Sequence, residues 1–191
     1  MVSQFVSTHP VRLLGEIQFD FPEGTHAIGR LDNHSEGMLL LTTNKKITKL
    51  LFQSSKPHKR TYLVMVKRVV TPETLSALRK GVSIKIKNNE EYTSVPESVD
   101  IIDDPQFYEP WFKPNPYSPT SWLRITLTEG KFHQVRKMVD AVHHRCIRLI
   151  RYSIEDLEIG GIAPGEVREI AEDDFFTLLK LDKTSIQSQH T

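Results

Sequence analysis

Gly29-Arg30-Leu31-Asp32-Asn33-His34-Ser35-Glu36-Gly37, followed at once by Met38-Leu39-Leu40-Leu41, decides how this chain is read. Two glycines bracket a mostly polar loop, and the apolar run Met38–Thr43 behind it has the length and composition of a buried strand. A polar loop that ends in a buried strand presents its side chains at the mouth of a cleft, where binding and catalytic groups concentrate. Asp32 is therefore a candidate nucleophile or base, with Arg30 two residues before it. Locally, Asp32 or Asn33 capping a turn accounts for the pattern just as well. Chemistry at Asp32 needs partners from elsewhere in the chain.

Two further segments supply candidates. Lys59-Arg60-Thr61-Tyr62 opens a β-branched and aromatic run, Arg60–Val70, which predicts a strand with Tyr62, Val64 and Val66 on one side. A tyrosine beside basic residues suits stacking on a base while its neighbours hold phosphates, although a half-buried strand tyrosine is more often core. Glu129-Gly130-Lys131-Phe132-His133-Gln134-Val135-Arg136-Lys137-Met138 joins the end of a strand (Trp122–Glu129, with Leu123, Ile125 and Leu127 on one face) to a helix predicted over Phe132–Val142. Arg136 falls near its first turn. An arginine there can reach a carboxylate, and the planar, permanently charged pair would keep Asp32 ionised and oriented.

Around these segments the elements are short. Asn44 caps a helix carrying Ile47, Leu50 and Leu51, and Thr71-Pro72 opens another with Leu75 and Leu78 inward and Gly81 at its end. Pro105 to Pro119 holds five prolines with Trp111 and Tyr117, an ordered loop or an insertion, and Cys146–Ile154 returns to a strand. Short strands alternate with short helices, which predicts an α+β fold.

The overall charge of +1 conceals strong segregation. Gly37 to Pro72 contains eight Lys and Arg and no acid; Gly130 to Tyr152 contains six against Asp140 alone; Ser153 to Asp182 contains nine acids against Arg168 and Lys180. One lysine-rich run is usually a solvated face. Two, interleaved with Tyr62, His58, His133, His143 and His144, favour a polyanionic partner such as a nucleic acid. With 38% hydrophobic residues in 191, the chain has material for a core. No apolar run approaches the roughly 20 residues of a membrane span. The start lacks a secretory signal, and the lone Cys146 fits a reducing, cytoplasmic setting.

Taken together, the three segments resemble the pseudouridine synthases, in the branch acting on ribosomal RNA that includes small-subunit synthase A. Gly29–Leu41 matches Gly-Arg-Leu-Asp followed by Ser/Thr-Glu-Gly and a leucine-rich strand; Arg60-Thr61-Tyr62 matches a Lys-x-Tyr-like strand; residues 129–138 match the third motif. Arg148-Leu149-Ile150-Arg151 and Pro164-Gly165-Glu166-x-Arg168 follow as expected, and Pro119-Thr120-Ser121-Trp122-Leu123 is most like the large-subunit synthase E group. The resemblance implies a mixed, mostly antiparallel sheet with flanking helices and a central RNA-binding cleft. It implies a catalytic domain over residues 1–182 without the small N-terminal RNA-binding domain of some relatives, and a polar tail over 183–191. The strand that usually precedes the segment matching Met1–Phe5 is missing, so a shortened N-terminal edge is expected. Asn33-His34 stands where relatives commonly carry Arg and Asp.

By position, the resemblance makes Asp32 the catalytic aspartate, Tyr62 the aromatic against the target base, and Arg136 the partner of Asp32. Arg30, Lys59, Arg60, Lys131, His133, Gln134 and Lys137 are the expected RNA contacts. The implied reaction isomerises uridine in ribosomal RNA, of the large subunit by the nearest group, and calls for no cofactor, metal, membrane or obligatory protein partner. A monomer is expected. A second reading, an inactive RNA-binding or ribosome-assembly protein on the same fold, is disfavoured by the joint presence of Asp32, Tyr62 and Arg136. A metal hydrolase built on His133, His143, His144 and Cys146 is weaker still: adjacent His143 and His144 point different ways, and no carboxylate sits at ligand spacing. Cys146 reads as a small core residue.

Overall fold

The computed structural model describes residues 1–52, 56–107, 115 and 117–183. Most of the proline-rich stretch over 105–119 and most of the tail over 183–191 therefore lie outside the described residues. In chain order the regular elements are β1 (His26–Ile28), β2 (Glu36–Gly37), β3 (Leu40–Thr42), α1 (Lys46–Phe52), β4 (Arg60–Lys67), α2 (Pro72–Lys80), β5 (Val82–Lys85), β6 (Glu91–Ser94), β7 (Ser98–Ile102), β8 (Thr120–Leu127), α3 (Gln134–Ala141), β9 (Cys146–Ile154), β10 (Leu157–Glu158) and α4 (Glu172–Leu178). The chain forms two compact units: residues 1–33, 37–58 and 153–191 make the first, and residues 34–36 and 59–152 the second.

The second unit is built on a sheet in which β4 lies between β9 and β8, with β7 beyond β8. β4 and β8 run antiparallel from Arg60↔Leu127 to Lys67↔Thr120, and β7 and β8 from Ser98↔Thr126 to Ile102↔Trp122. The alternation predicted for both long strands holds. Val64 and Val66 of β4 and Leu123, Ile125 and Leu127 of β8 enter one buried cluster, with Tyr62 at its edge. Leu78 of α2, Ile84 of β5 and Val135, Met138 and Val139 of α3 cover that face. Leu63, Met65, Trp122 and Ile150 form a smaller cluster on the opposite parity. Fully buried aliphatic side chains are each worth about 1.5–3 kcal/mol, so the dozen or so in the larger cluster dominate this unit's stability.

α2 begins as the sequence predicts: Thr71 Oγ1 accepts from the Thr74 amide, Pro72 occupies the first turn, and Gly81 follows the last. β4 ends at Lys67, earlier than the predicted Val70, because Arg68 turns into the left-handed region at φ 76°. β5 and β6 form an antiparallel hairpin that the sequence reading did not anticipate.

In the first unit β1 and β3 pair antiparallel, His26 opposite Thr42 and Ile28 opposite Leu40. The strand expected over Met38–Thr43 is shorter: Met38 is buried but lies between β2 and β3. Asn44 Oδ1 accepts from the Lys46 amide at the start of α1, which buries Ile47 and Leu51. Three acids in the first turn of α4 meet the positive end of its helix dipole, and Phe176 and Leu179 anchor it. An α+β architecture with a mostly antiparallel sheet is what the sequence predicted.

Candidate active site

In the first unit the polar loop is shaped at its ends. Gly29 at φ 72° and Gly37 at φ 101° occupy the left-handed region, where a side chain would be strained; this is why the motif brackets its loop with glycines. Ser3 Oγ accepts from the Leu31 amide at 3.0 Å and fixes the backbone one residue before Asp32. With its amide oriented to satisfy both ends, Gln4 accepts from Arg30 Nη1 at 2.8 Å and donates to the Val6 carbonyl. Arg30 is exposed and Asp32 half-buried.

The next three residues, His34 to Glu36, belong to the second unit. Two arginines hold them. Arg136 Nη2 donates to the His34 carbonyl at 2.7 Å and lies 3.4 Å from Ser35 Oγ, while Nη1 reaches Cys146 Sγ at 3.6 Å. Burial pushes the Cys146 thiol up to about 11, against the opposing charge of Arg136, so it stays protonated at neutral pH and packs as a small side chain. Arg148 grips Glu36 as a fork, Nε to Oε1 at 2.9 Å and Nη2 to Oε2 at 2.8 Å, with the two side chains 3% and 22% exposed. Both residues stand in the motifs, yet their pairing was not read from the sequence. The available signal was a charged residue on each of two buried segments, since a buried charge must find a partner.

Tyr62 is half-buried at the edge of the cluster that α3, the helix carrying Arg136, covers. Two of the expected RNA contacts are placed otherwise. Arg60 is only 8% exposed, because it shares strand parity with Tyr62, Val64 and Val66 and so faces inward. Gln134 is 4% exposed; positions 134, 135, 138 and 139 form the inner stripe of α3. Its Nε2 donates to Ser94 Oγ and to Glu129 Oε1, both at 2.7 Å, and its Oε1 accepts from the Lys131 amide at 2.8 Å. Tyr92 donates to the other Glu129 oxygen, and that bond raises the tyrosine pKa. Glu129 and Gln134 thus tie off the turn before α3.

Gln134→Leu should therefore destabilise the fold by about 1–3 kcal/mol through unpaired buried groups, seen as a lower urea midpoint. An unchanged midpoint combined with a large loss of RNA affinity would restore the outward-facing reading of Gln134.

The remaining expected contacts reach the surface of the second unit. Lys59 is exposed and paired with Glu97. Lys131 is exposed, with Nζ 4.9 Å from the Tyr92 ring centroid; His133 takes a left-handed φ of 54° before α3; Lys137 is half-buried. In the first unit His58 is 2% exposed, 3.3 Å from Glu155, which also binds Lys180 at 3.2 Å. His58 is therefore inside the fold, away from the solvent-facing part of the basic run. Among the described residues no group of three or more His, Cys, Asp or Glu is arranged to hold a metal, and no helix is long and apolar enough to cross a membrane.

Comparison with known proteins gives a consistent picture. The family model for RNA pseudouridylate synthase matches residues 12–141, a span that includes Asp32, Tyr62 and Arg136. A ribosomal large subunit pseudouridine synthase E of Xanthomonas axonopodis pv. citri is 36% identical over 86% of this chain and 85% of its own length. One of the same name from Vibrio vulnificus is 36% identical over 76% of this chain and 61% of its own length. A ribosomal small subunit pseudouridine synthase A of Salmonella typhimurium is 29% identical, with 78% of this chain and 57% of that protein covered. The chain thus spans about three fifths of the Vibrio protein it matches. Among solved structures, one described as a pseudouridylate synthase superposes with a TM-score of 0.70 at 24% identity, covering 87% of this chain and 65% of that one, and shows the same fold.

Proposed function

The chain belongs to the RNA pseudouridylate synthase family, and from that premise we propose that it isomerises uridine to pseudouridine in ribosomal RNA with Asp32 as its catalytic aspartate. The observation that carries the reading is the 2.7 Å bond from Arg136 to the His34 carbonyl. It ties the helix of the third motif to the loop of the first, 102 positions apart in the chain and two residues after Asp32. The family match over residues 12–141 includes segments of both units, which supports reading them as parts of one catalytic domain, proposed here over residues 1–182.

The chemistry follows from the groups. The target base leaves its stack at a cost of a few kcal/mol, and Tyr62, half-buried beside an apolar cluster, offsets part of it by stacking. The N1–C1′ bond breaks while Asp32 acts at the ribose, either attacking C1′ or removing a C2′ proton. The uracil turns and C5 bonds to C1′, with release of the Asp32 carboxylate from C1′ on the first route or return of the abstracted proton to C2′ on the second; the C5 proton goes to solvent, and N1 takes up a proton. Both routes need an ionised carboxylate, and Arg136 holds the backbone of the same loop two residues further on, through the His34 carbonyl. Arg30, Lys59, Lys131, His133 and Lys137 hold phosphates on either side of the target. The relatives named for the large subunit make 23S ribosomal RNA the proposed substrate. The enzyme would work in the cytoplasm, as a monomer and without a cofactor.

Because C5 loses its hydrogen, ribosomal RNA transcripts carrying uridine tritiated at C5 give a direct assay. Release of tritium from 23S transcripts, in a small whole number of equivalents, is the expected result. Release from 16S transcripts alone would move the substrate to the small subunit, and none from either would overturn the enzyme reading.

A further inference from the structure

Phe132 has no role in the core of the second unit: it is 67% exposed, although it sits in a motif whose neighbours Gln134 and Val135 are buried. Its ring stacks on His133 with centroids 3.8 Å apart and planes 18° from parallel, and Lys137 Nζ lies 5.3 Å from its centroid. Beside it runs a groove of about 790 Å³ lined by Ile86, Lys87, Asn88, Asn89, Phe132 and Lys137. That volume is in the range of small-ligand sites, about 300–1,000 Å³. Its polar wall is unusual. Asn88 and Asn89 both hold φ at 60°, a left-handed conformation that asparagine tolerates better than most residues and that recurs at binding sites.

We propose that this groove takes one unpaired nucleotide of the RNA, at a subsite separate from that of the reacting uridine. The inference rests on the ribosomal RNA reading above and adds where the flanking strand is held. A base would lie against the Phe132 ring, its edge within reach of the Asn88 and Asn89 amides. The phosphate would be held by Lys87 and Lys137. Lys137 is already anchored by a 2.6 Å bond from Nζ to the Lys85 carbonyl, which fixes its ammonium at the groove while leaving further N–H groups for a phosphate oxygen. The chemistry of the lining selects this occupant. An aromatic face with two ammonium groups, two amides and no carboxylate suits a stacked base carrying a phosphate; Glu90 and Glu91, which follow the turn, are exposed and do not line the groove. Because a π face stacks on any base and an amide can both donate and accept, the subsite takes a base of any identity and discriminates single strand from duplex.

The test uses the full chain and a fluorescein-labelled ten-nucleotide oligouridylate, alone and annealed to oligoadenylate, with affinity read by anisotropy. Wild-type protein is expected to prefer the single strand, and Phe132→Ala to weaken that binding about ten-fold or more. Phe132→Trp should retain it, and Tyr117→Ala, which removes a 93% exposed tyrosine elsewhere, should leave it unchanged. Equal single-strand affinity for wild type and Phe132→Ala would overturn the proposal, as would equal losses from Phe132→Ala and Tyr117→Ala. These outcomes are independent of turnover. Loss of binding with Phe132→Ala supports the groove even if tritium release fails, and unchanged binding sinks it even if tritium release succeeds.

Discussion

Asp32→Asn is expected to abolish tritium release from ribosomal RNA, a fall of at least about a thousand-fold, while RNA affinity and the unfolding midpoint stay close to those of the wild type. The substitution keeps the size and planarity of the side chain and removes its charge and nucleophilicity. Asp32 is half-buried on a loop whose backbone is already held by Ser3 at Leu31 and shaped by Gly29 and Gly37. Retained turnover would remove Asp32 from the mechanism, and a large fall in stability would mean that it acts as a turn cap.

Arg148→Met should produce the largest structural effect. The guanidinium is 3% exposed and makes two short bonds to Glu36; without it a mostly buried carboxylate is left uncompensated. Breaking such a pair from one side costs about 3–5 kcal/mol, against a total stability of about 5–15 kcal/mol for a domain. The variant is expected to lose most of its cooperative unfolding transition or its soluble yield. Glu36→Leu combined with Arg148→Met should recover a good part of the loss, because an apolar pair of similar volume has no charge to desolvate. Full stability of the single variant would show that the pair contributes little to the fold.

How much of this was legible in the sequence follows from what kind of signal each feature leaves. On the long strands β4 and β8 the residues that share one face could be read from parity, Tyr62 included, although both faces carry buried side chains. Alternation also carried the information that Arg60 faces inward, since it has the parity of Tyr62; charge alone suggested the opposite. Gln134 leaves a similar signal: a polar residue in a basic motif reads as solvent-facing until the 134, 135, 138, 139 stripe, on which it is buried, is counted. The β5–β6 hairpin escaped because its strands are only four residues each, although Val82-Ser83-Ile84-Lys85 alternates apolar and polar. The bonds from Arg136 to His34 and from Arg148 to Glu36 span 102 and 112 positions, and no local pattern reports a contact at that separation. Motif spacing indicated that these segments matter together; only tertiary structure shows which atom meets which.

The most direct measurement of the central claim is a map of pseudouridine across all ribosomal RNA, from cells with and without this gene and from deletion cells carrying either the wild-type chain or Asp32→Asn. The account predicts that a defined site in 23S ribosomal RNA loses its pseudouridine on deletion, regains it with the wild-type chain, and stays unmodified with Asp32→Asn. Identical maps from all four strains would contradict it.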